Sequence, residues 1–559
     1  MSANRKKRIG DLLLEYNYIT QKQLEDALEA QKEMDMRLGQ VLTELGYISE
    51  EELTEALEMQ LNIPRVYLND YLLSAQLSQY ISENIARRHN AVPYDMEEGI
   101  LKVAIQDPTD LMAIENIEVN SGMKIDIAIA TQSEITNAIN QIYSLVDTDT
   151  AEIFESLNQY NQMNEDPEID QLRQMVEDAP IVRLTNLIIT QAIQKQASDI
   201  HIESLKNTLR VRYRVDGILR EEMTVPQNSQ SALISRLKII ADLDITKRRI
   251  PQDGRVQMTF KGMQIDMRVS TLPTIYGEKV VIRLLNRDDS LLNLEKLGFR
   301  SKNRERFNRL IKKPNGILLA TGPTGSGKST TLFAALSEIN SPTKNIVTIE
   351  DPVEYQLDGV NQVQANTATG LTFAKTLRSI LRQDPDIVMV GEIRDEETAE
   401  IAIRAALTGH LVLSTLHTND AISAITRLMD MGIPGYLVAS TVIGVVAQRL
   451  VRRLCPDCKE RYQPGIEEKK FLDDPDVNHL WRPSNESCDK CTDGFKGRLA
   501  IHEVIEITSD MEEMIAEGAN EPEIKRYVRA NEMESLLVDG KEKLKEGLTS
   551  YQELVSVVH

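Results

Sequence analysis

The sequence predicts an α/β, multidomain architecture, and three observations carry that expectation. The run Ile317-Leu-Leu-Ala-Thr321 is apolar until it stops at the glycine-rich turn Gly322-Pro323-Thr324-Gly325-Ser326-Gly327-Lys328-Ser329-Thr330. Two further apolar runs, Asn345-Ile-Val-Thr-Ile-Glu350-Asp351-Pro-Val-Glu354 and Asp386-Ile-Val-Met-Val-Gly391-Glu392, each end in acidic residues. At the amino end, residues 8–31 return at 37–60 with a period of 29 and a helical pattern. A chain of 559 residues is long enough for three or four domains of about 100–200 residues each.

The glycine-rich stretch reads as a buried strand feeding a phosphate-binding loop. Gly322, Gly327, Lys328 and Ser329 have the spacing in which backbone N–H groups cradle phosphates, an ammonium reaches the β/γ oxygens and a hydroxyl holds Mg²⁺. A helix expected from Ser329 to about Ile339 aims its positive end at the same place. The alternative is a turn that binds nothing. The complete match in a strand, loop and helix context speaks against it.

Charge and cysteine usage bound the function classes. With 64 basic and 86 acidic side chains the net charge is −22, which disfavours a protein coating nucleic acid or an anionic membrane through its overall field. The opening residues carry no charged-then-apolar leader, and the longest apolar stretch, Tyr436–Val451, is short and holds Gln448 and Arg449. The expectation is a soluble, cytoplasmic protein. Its four cysteines fall as two Cys-x-x-Cys pairs, which leaves none for a disulfide framework.

In chain order, the first feature is the repeat. Arg8, Gly10, Leu13, Glu15, Tyr18, Ile19, Leu24, Ala27, Leu28, Glu29 and Gln31 recur as Arg37, Gly39, Leu42, Glu44, Tyr47, Ile48, Leu53, Ala56, Leu57, Glu58 and Gln60, eleven identities in 24 positions, which makes a duplication. Each copy reads as a short helix, a turn at Asn17 or Gly46, and a helix capped by Thr20 or Ser49 with Gln23 or Glu52 three residues on. The leucines are the core of a small helical bundle. An arginine beside a glycine additionally suits a phosphate or a guanine edge. The repeats resemble the tandem 24-residue motif of the MshEN domain, a cyclic di-GMP receptor module. The resemblance implies that Arg8, Gly10 and Gln31, with Arg37, Leu38, Gly39 and Gln60, face a bound dinucleotide. The first copy departs from the pattern at Ile9 and Asn17.

Residues 63–146 mix strands and helices and complete this first domain, set at 1–145. Val92-Pro-Tyr, Leu101–Ile105 and Ile125–Ile129 alternate as strands do. Residues 146–171 are acidic and polar and read as a linker. The middle domain, 172–290, carries Leu209-Arg-Val-Arg-Tyr-Arg-Val-Asp-Gly217, an alternating strand closed by a hairpin turn signal. Arg255, Arg268 and Arg283 lie on its later strand-like segments. Single arginines on strands usually form a solvated face; several beside a phosphate loop suggest donors for a transferring phosphoryl group. The middle domain resembles the N-terminal, PAS-like ATPase domain of the type II/type IV secretion ATPases. That likeness implies that Arg255 and Arg268 lean over a nucleotide bound on the next domain.

After a linker at 291–303, the domain 304–559 holds the loop and both acidic strand ends. A carboxylate at such an end can hold Mg²⁺ through water while another positions the attacking water. Gly409-His410-Leu-Val-Leu-Ser-Thr-Leu-His417-Thr places two histidines seven apart, flanking a third apolar strand. In order, these segments resemble the Walker A, Asp box, Walker B and His box of secretion and pilus ATPases, over roughly residues 175–510. The resemblance implies a RecA-like P-loop core with Lys328 on the phosphates, Ser329 and Glu392 at Mg²⁺, Glu354 as catalytic glutamate, and His410 and His417 as phosphate or conformational sensors. It also implies Arg378, Arg382 and Arg394 at the nucleotide or a subunit interface, a homo-hexamer, and an inner-membrane platform protein as partner, with membrane association through partners only.

Cys455-Pro-Asp-Cys458 and Cys488-Asp-Lys-Cys491 are separated by 29 residues, and the four thiolates suit tetrahedral Zn²⁺ within a module at 455–491. Two redox pairs or four buried thiols are the alternatives. Pilus extension and secretion ATPases carry such an insert, so the resemblance favours zinc. The expectation is an ATP-hydrolysing hexamer that assembles type IV pili under cyclic di-GMP control. A type II secretion ATPase is the nearest alternative and a nucleic-acid translocase a more distant one, opposed by the acidic balance.

Overall fold

The computed structural model describes residues 8–32, 34, 36–143, 179–286, 293–484, 486 and 488–558. The linker expected at 146–171 lies outside the described residues. The chain divides between Arg287 and Asp288 into two compact units.

The first unit opens with the duplicated helices Ile9–Glu15, Gln21–Ala30, Leu38–Glu44 and Glu50–Leu61. Thr20 with Gln23 and Ser49 with Glu52 form reciprocal capping boxes, so both copies start their second helix by the same device. Asn17 and Gly46 both sit at positive φ, 60° and 68°. Asn17 therefore keeps the turn that glycine makes in the other copy, because asparagine tolerates the left-handed region. Leu13, Ile19, Leu24 and Ala27 interlock with Val41, Leu42, Ile48 and Ala56 as a core of their own.

A three-stranded sheet follows, with β1 (Ala91–Glu97) antiparallel to β2 (Ile100–Ile105) and β2 parallel to β3 (Ile125–Ile129). The middle region forms a fully antiparallel sheet in the order β6-β5-β4-β9-β8-β7. Its strands are β4 (Asp199–Ser204), β5 (Thr208–Val215), β6 (Ile218–Pro226), β7 (Gln252–Phe260), β8 (Met263–Thr274) and β9 (Gly277–Asn286). In β5 the apolar residues are buried and the arginines half-exposed in strict alternation, as the Arg/Val pattern requires. Asp216 and Gly217 turn the β5–β6 hairpin with φ of 49° and 88°, the two positive values such a turn needs. The helices Ala179–Gln194 and Gln230–Ile240 pack on the apolar face. Leu72, from the amino-terminal part, enters this core, and its N–H donates to the Thr259 carbonyl at 2.8 Å.

The second unit is built on a seven-stranded sheet ordered β12-β11-β13-β14-β10-β15-β18. The strands are β10 (Gly316–Thr321), β11 (Ile346–Glu350), β12 (Asn361–Gln364), β13 (Ile387–Val390), β14 (Leu411–Leu416), β15 (Val442–Leu454) and β18 (Phe495–Glu506), with the small ribbon β16 (Glu460–Tyr462) and β17 (Leu480–Arg482) between the last two. All neighbours in the large sheet are parallel except β18, which is antiparallel to β15. Every residue of β10, β11, β13 and β14 is buried, the signature of strands covered on both faces. The region 293–303, expected as linker, instead carries a short turn of helix, Leu294–Leu297, and the start of the helix Ser301–Leu310. Leu294 and Asn303 are buried there, Leu297 and Phe299 pack against the same core, and the Phe299 ring stacks on Phe307 and His502.

Candidate active site

Parallel strands present their ligand groups at the carboxyl edge, and the phosphate loop leaves that edge at the end of β10. Gly322, Gly325 and Gly327 take φ of 149°, 77° and 87°, and the helix Lys328–Ile339 starts directly behind them. Ser326 is buried, and its Oγ lies inside the loop without a hydrogen-bond partner. Lys328 is 8 % exposed, and its Nζ donates to the carbonyls of Gly322 at 2.8 Å and Pro323 at 3.1 Å. Burial pushes its ammonium below the usual lysine range; the fields of Glu392 and Glu354 oppose that shift, while Arg449 adds to it. Pro323, Thr324 and Gly325 are exposed, and Ser329 and Thr330 half-buried on the first turn. An orphaned hydroxyl, a buried lysine and a helix start converge here, as a triphosphate with Mg²⁺ requires.

The acids come from the two neighbouring strand ends. Glu350 closes β11, is buried, and accepts from Thr348 Oγ1 at 2.6 Å and Gln362 Nε2 at 3.0 Å. Burial raises its pKa above the ordinary glutamate value. Glu354, four residues on, is exposed. Glu392 follows β13, forms an ion pair with Arg394, and lies 3.6 Å through Oε2 from Nε2 of His417. The hydroxyl pair Thr321 and Thr418 is 2.5 Å apart, and Thr418 N donates to Thr321 Oγ1 at 3.0 Å. The root of the phosphate loop is thereby tied to the segment that carries His417.

The structure does not bring every expected residue here. His410 precedes β14 while His417 follows it, and the Gly316 N–H donates to the His410 carbonyl at 3.1 Å, at the start of β10. Seven steps along the strand set the two backbone positions about 23 Å apart. His410 therefore stands at the amino edge of β14, with Nδ1 2.8 Å from the Ala405 carbonyl, and His417 at the carboxyl edge beside Glu392. Arg378 pairs with Glu397 at 2.8 Å, and Arg382 bonds the Arg378 carbonyl at 2.9 Å, so both lie on the outer face of the helix Phe373–Ile380 region. Three contributors were given no individual role by the sequence reading: Glu350, Thr418 and Gln448. Gln448 is buried on β15 beneath the loop, signalled only by a polar residue in an apolar strand.

In the first unit, Arg255 and Arg268 are directly opposed on β7 and β8, and Arg268 in turn faces Arg283 on β9. Arg283 Nε donates to Asp199 Oδ1 at 3.1 Å. Among the repeats, Arg8 and Arg37 occupy equivalent positions just before their helices, with φ/ψ of −69°/151° and −75°/151°. Arg37 is bound to Asp107 at 2.5 Å, and Gln31 Nε2 donates to the Met36 carbonyl at 3.1 Å. Leu38 and Gln60 are half-buried. Gly10 and Gly39 are buried, and a Cβ on them would come within 2.9 Å of Leu24 and 2.5 Å of Leu53, the same leucine of each copy. The repeated glycine thus lets each leucine pack close against the start of the first helix of its copy.

The four cysteines converge. Their sulfurs all lie within 4.8 Å of one another, with Cys458 and Cys491 at 3.6 Å. Tetrahedral Zn²⁺ with bonds of about 2.3 Å spaces its sulfurs by about 3.8 Å, so the set fits that ion.

Comparison with known proteins agrees with this geometry. The family described as Type II/IV secretion system protein matches residues 174–556, and the MshEN domain family matches 61–149, the part after the tandem repeats. The type IV pilus assembly ATPase PilB of Myxococcus xanthus is 41% identical over 556 residues, covering 98% of each chain. The type II secretion system ATPase E of Vibrio cholerae is 46% identical over 433 residues, covering 76% of this chain and 86% of its own. The ATPase DotB of Legionella pneumophila shares the fold with a TM-score of 0.50 at 20% identity, over 67% of this chain and 95% of its own. With the phosphate loop, the two acidic strand ends and this match over most of its length, the chain belongs to the type II/IV secretion system family and is a P-loop ATPase.

Proposed function

We propose that this ATPase powers type IV pilus assembly as a homo-hexamer docked on an inner-membrane platform protein, with cyclic di-GMP as its regulator. The observation that carries the pilus reading is the end-to-end correspondence with PilB of Myxococcus xanthus, which includes the amino-terminal repeats. In this reading Lys328 grips the phosphates, Ser329 and Glu392 hold Mg²⁺, and Glu354 polarises the attacking water. Mg²⁺ would supply charge neutralisation between the phosphates. Arg255 and Arg268 are the middle domain's charge-stabilising donors, Arg394, paired with Glu392, acts at the nucleotide or a subunit interface, and His417 reports the state of Glu392.

No helix among the described residues is long and apolar enough to cross a membrane, which fits attachment through a partner at the cytoplasmic face. Deleting the gene should abolish surface pili while secreted enzymes persist. The reverse outcome supports the second reading, a type II secretion ATPase, which the 46% identity to the Vibrio cholerae protein favours.

Cyclic di-GMP binding rests on the duplicated Arg8/Arg37 position and on the MshEN match beside it. Arg37 would exchange Asp107 for a phosphate or a guanine edge. Calorimetry of the full chain with cyclic di-GMP should give saturable heat that Arg37→Ala abolishes; no heat at high micromolar ligand contradicts it. Cys455, Cys458, Cys488 and Cys491 would hold Zn²⁺ as a structural ion that ties β15 to the ribbon β16–β17.

A further inference from the structure

We propose that Gln448 is a positioning residue for the phosphate loop, holding it in the shape that receives a triphosphate. The inference rests on reading Gly322–Thr330 as an ATP site. Gln448 is 2 % exposed and lies on β15, the parallel neighbour of β10, where Ala447 is the partner of Thr321. That register puts Gln448 level with the first residue of the loop.

Both ends of its amide are engaged. Nε2 donates to the Ser326 carbonyl at 2.7 Å, and Oε1 accepts from Thr331 Oγ1 at 2.7 Å. One side chain therefore joins the middle of the loop to the second turn of the helix behind it. Two of the loop's glycines also lie close against this position. A Cβ on Gly322 would lie 2.5 Å from the Gln448 carbonyl oxygen, and one on Gly327 2.7 Å from its Nε2.

The chemistry of the loop explains the need for such a clamp. A phosphate cradle works when N–H groups face the anion and carbonyls face away. The Ser326 carbonyl sits in the centre of the loop, and the Gln448 amide holds it outward. Freed, that oxygen could rotate its dipole toward the phosphates and the ligand would lose a donor. Buried amides are seldom left half-satisfied, so the two bonds reinforce each other.

The test is Gln448→Glu in the full-length chain, with KM and kcat for Mg·ATP measured from pH 6 to 8.5 beside the unfolding temperature without nucleotide. Glutamate keeps the size and can still accept from Thr331. Ionised, it sets a carboxylate against the Ser326 carbonyl; protonated, it regains a donor. The expected result is a KM raised about tenfold at high pH, the worth of one buried hydrogen bond, relaxing toward wild type as pH falls, with kcat changed less. The inference is overturned if KM stays within about twofold of wild type at high pH, or if KM and kcat change together without a pH trend. Should that variant fail to fold, Thr331→Val removes the other bond; it should raise KM about threefold, and an unchanged KM overturns the inference. A wild-type chain that hydrolyses no ATP overturns instead the reading on which this rests.

Discussion

Lys328 donates to the Gly322 carbonyl across the loop that both residues bound, at 2.8 Å. The lysine is thus folded onto its own loop, where burial disfavours its charge and Glu392 and Glu354 sustain it. Phosphate oxygens are stronger acceptors than the two carbonyls it now uses, so nucleotide binding should draw the ammonium off them. Lys328→Ala should weaken Mg·ATP binding by about tenfold to a hundredfold, the range of charged hydrogen bonds, as read by fluorescent-nucleotide titration. Unchanged affinity would place the phosphates elsewhere.

The two histidines should behave differently. His417 stands beside Glu392, whereas His410 stands at the other edge of the sheet. His417→Ala should lower kcat about tenfold or more through its effect on Glu392. His410→Ala should leave the nucleotide affinity of the isolated subunit as it is. Equal loss of affinity in both would contradict the placement.

Glu503 on β18 gives the fold a pH dependence. It is buried, and desolvation followed by the charge of Asp420 pushes its pKa up to about 7. Because the folded pKa lies above the unfolded value near 4.5, the native state holds the extra proton between those values. Its contribution is full below about pH 4.5 and is lost as pH rises to 7, by about 3 kcal/mol. Glu503→Gln should therefore raise Tm increasingly from pH 5 to pH 8, by several degrees at the top of that range. A constant Tm difference across the range would show that the carboxyl is ionised throughout.

Purified without chelator, the protein should contain one zinc per chain. Cys488→Ser should lose that ion and destabilise the module around β16 and β17, read as a lower Tm and faster proteolysis between 455 and 491. Substoichiometric zinc in wild type, or a disulfide in its place, would support a redox role for the pairs.

What the sequence revealed and what it hid follow from how far apart the interacting residues lie. The phosphate loop was legible because strand, loop and helix are consecutive from Ile317 to Ile339, and the capping boxes of Thr20 and Ser49 because each spans four residues. Gln448 was hidden because only the register of β15 on β10 brings it under Ser326, 122 positions away. Gly10 and Gly39 suggested an open backbone, yet each meets a leucine 14 residues further on, a contact made by folding of the copy on itself. The two histidines were legible as flanking one strand, and β14 duly sets His410 at its amino end and His417 at its carboxyl end, where only His417 meets Glu392.

The most direct test of the account is phosphate release by the purified full-length chain with Mg·ATP, wild type beside Glu354→Gln. The wild type should turn over ATP, and the variant should bind it with similar affinity yet hydrolyse it about a hundredfold to ten-thousandfold more slowly. Wild-type turnover that Glu354→Gln leaves intact would assign the water to another acid, and a wild type inert toward ATP would contradict the account of this chain as a motor.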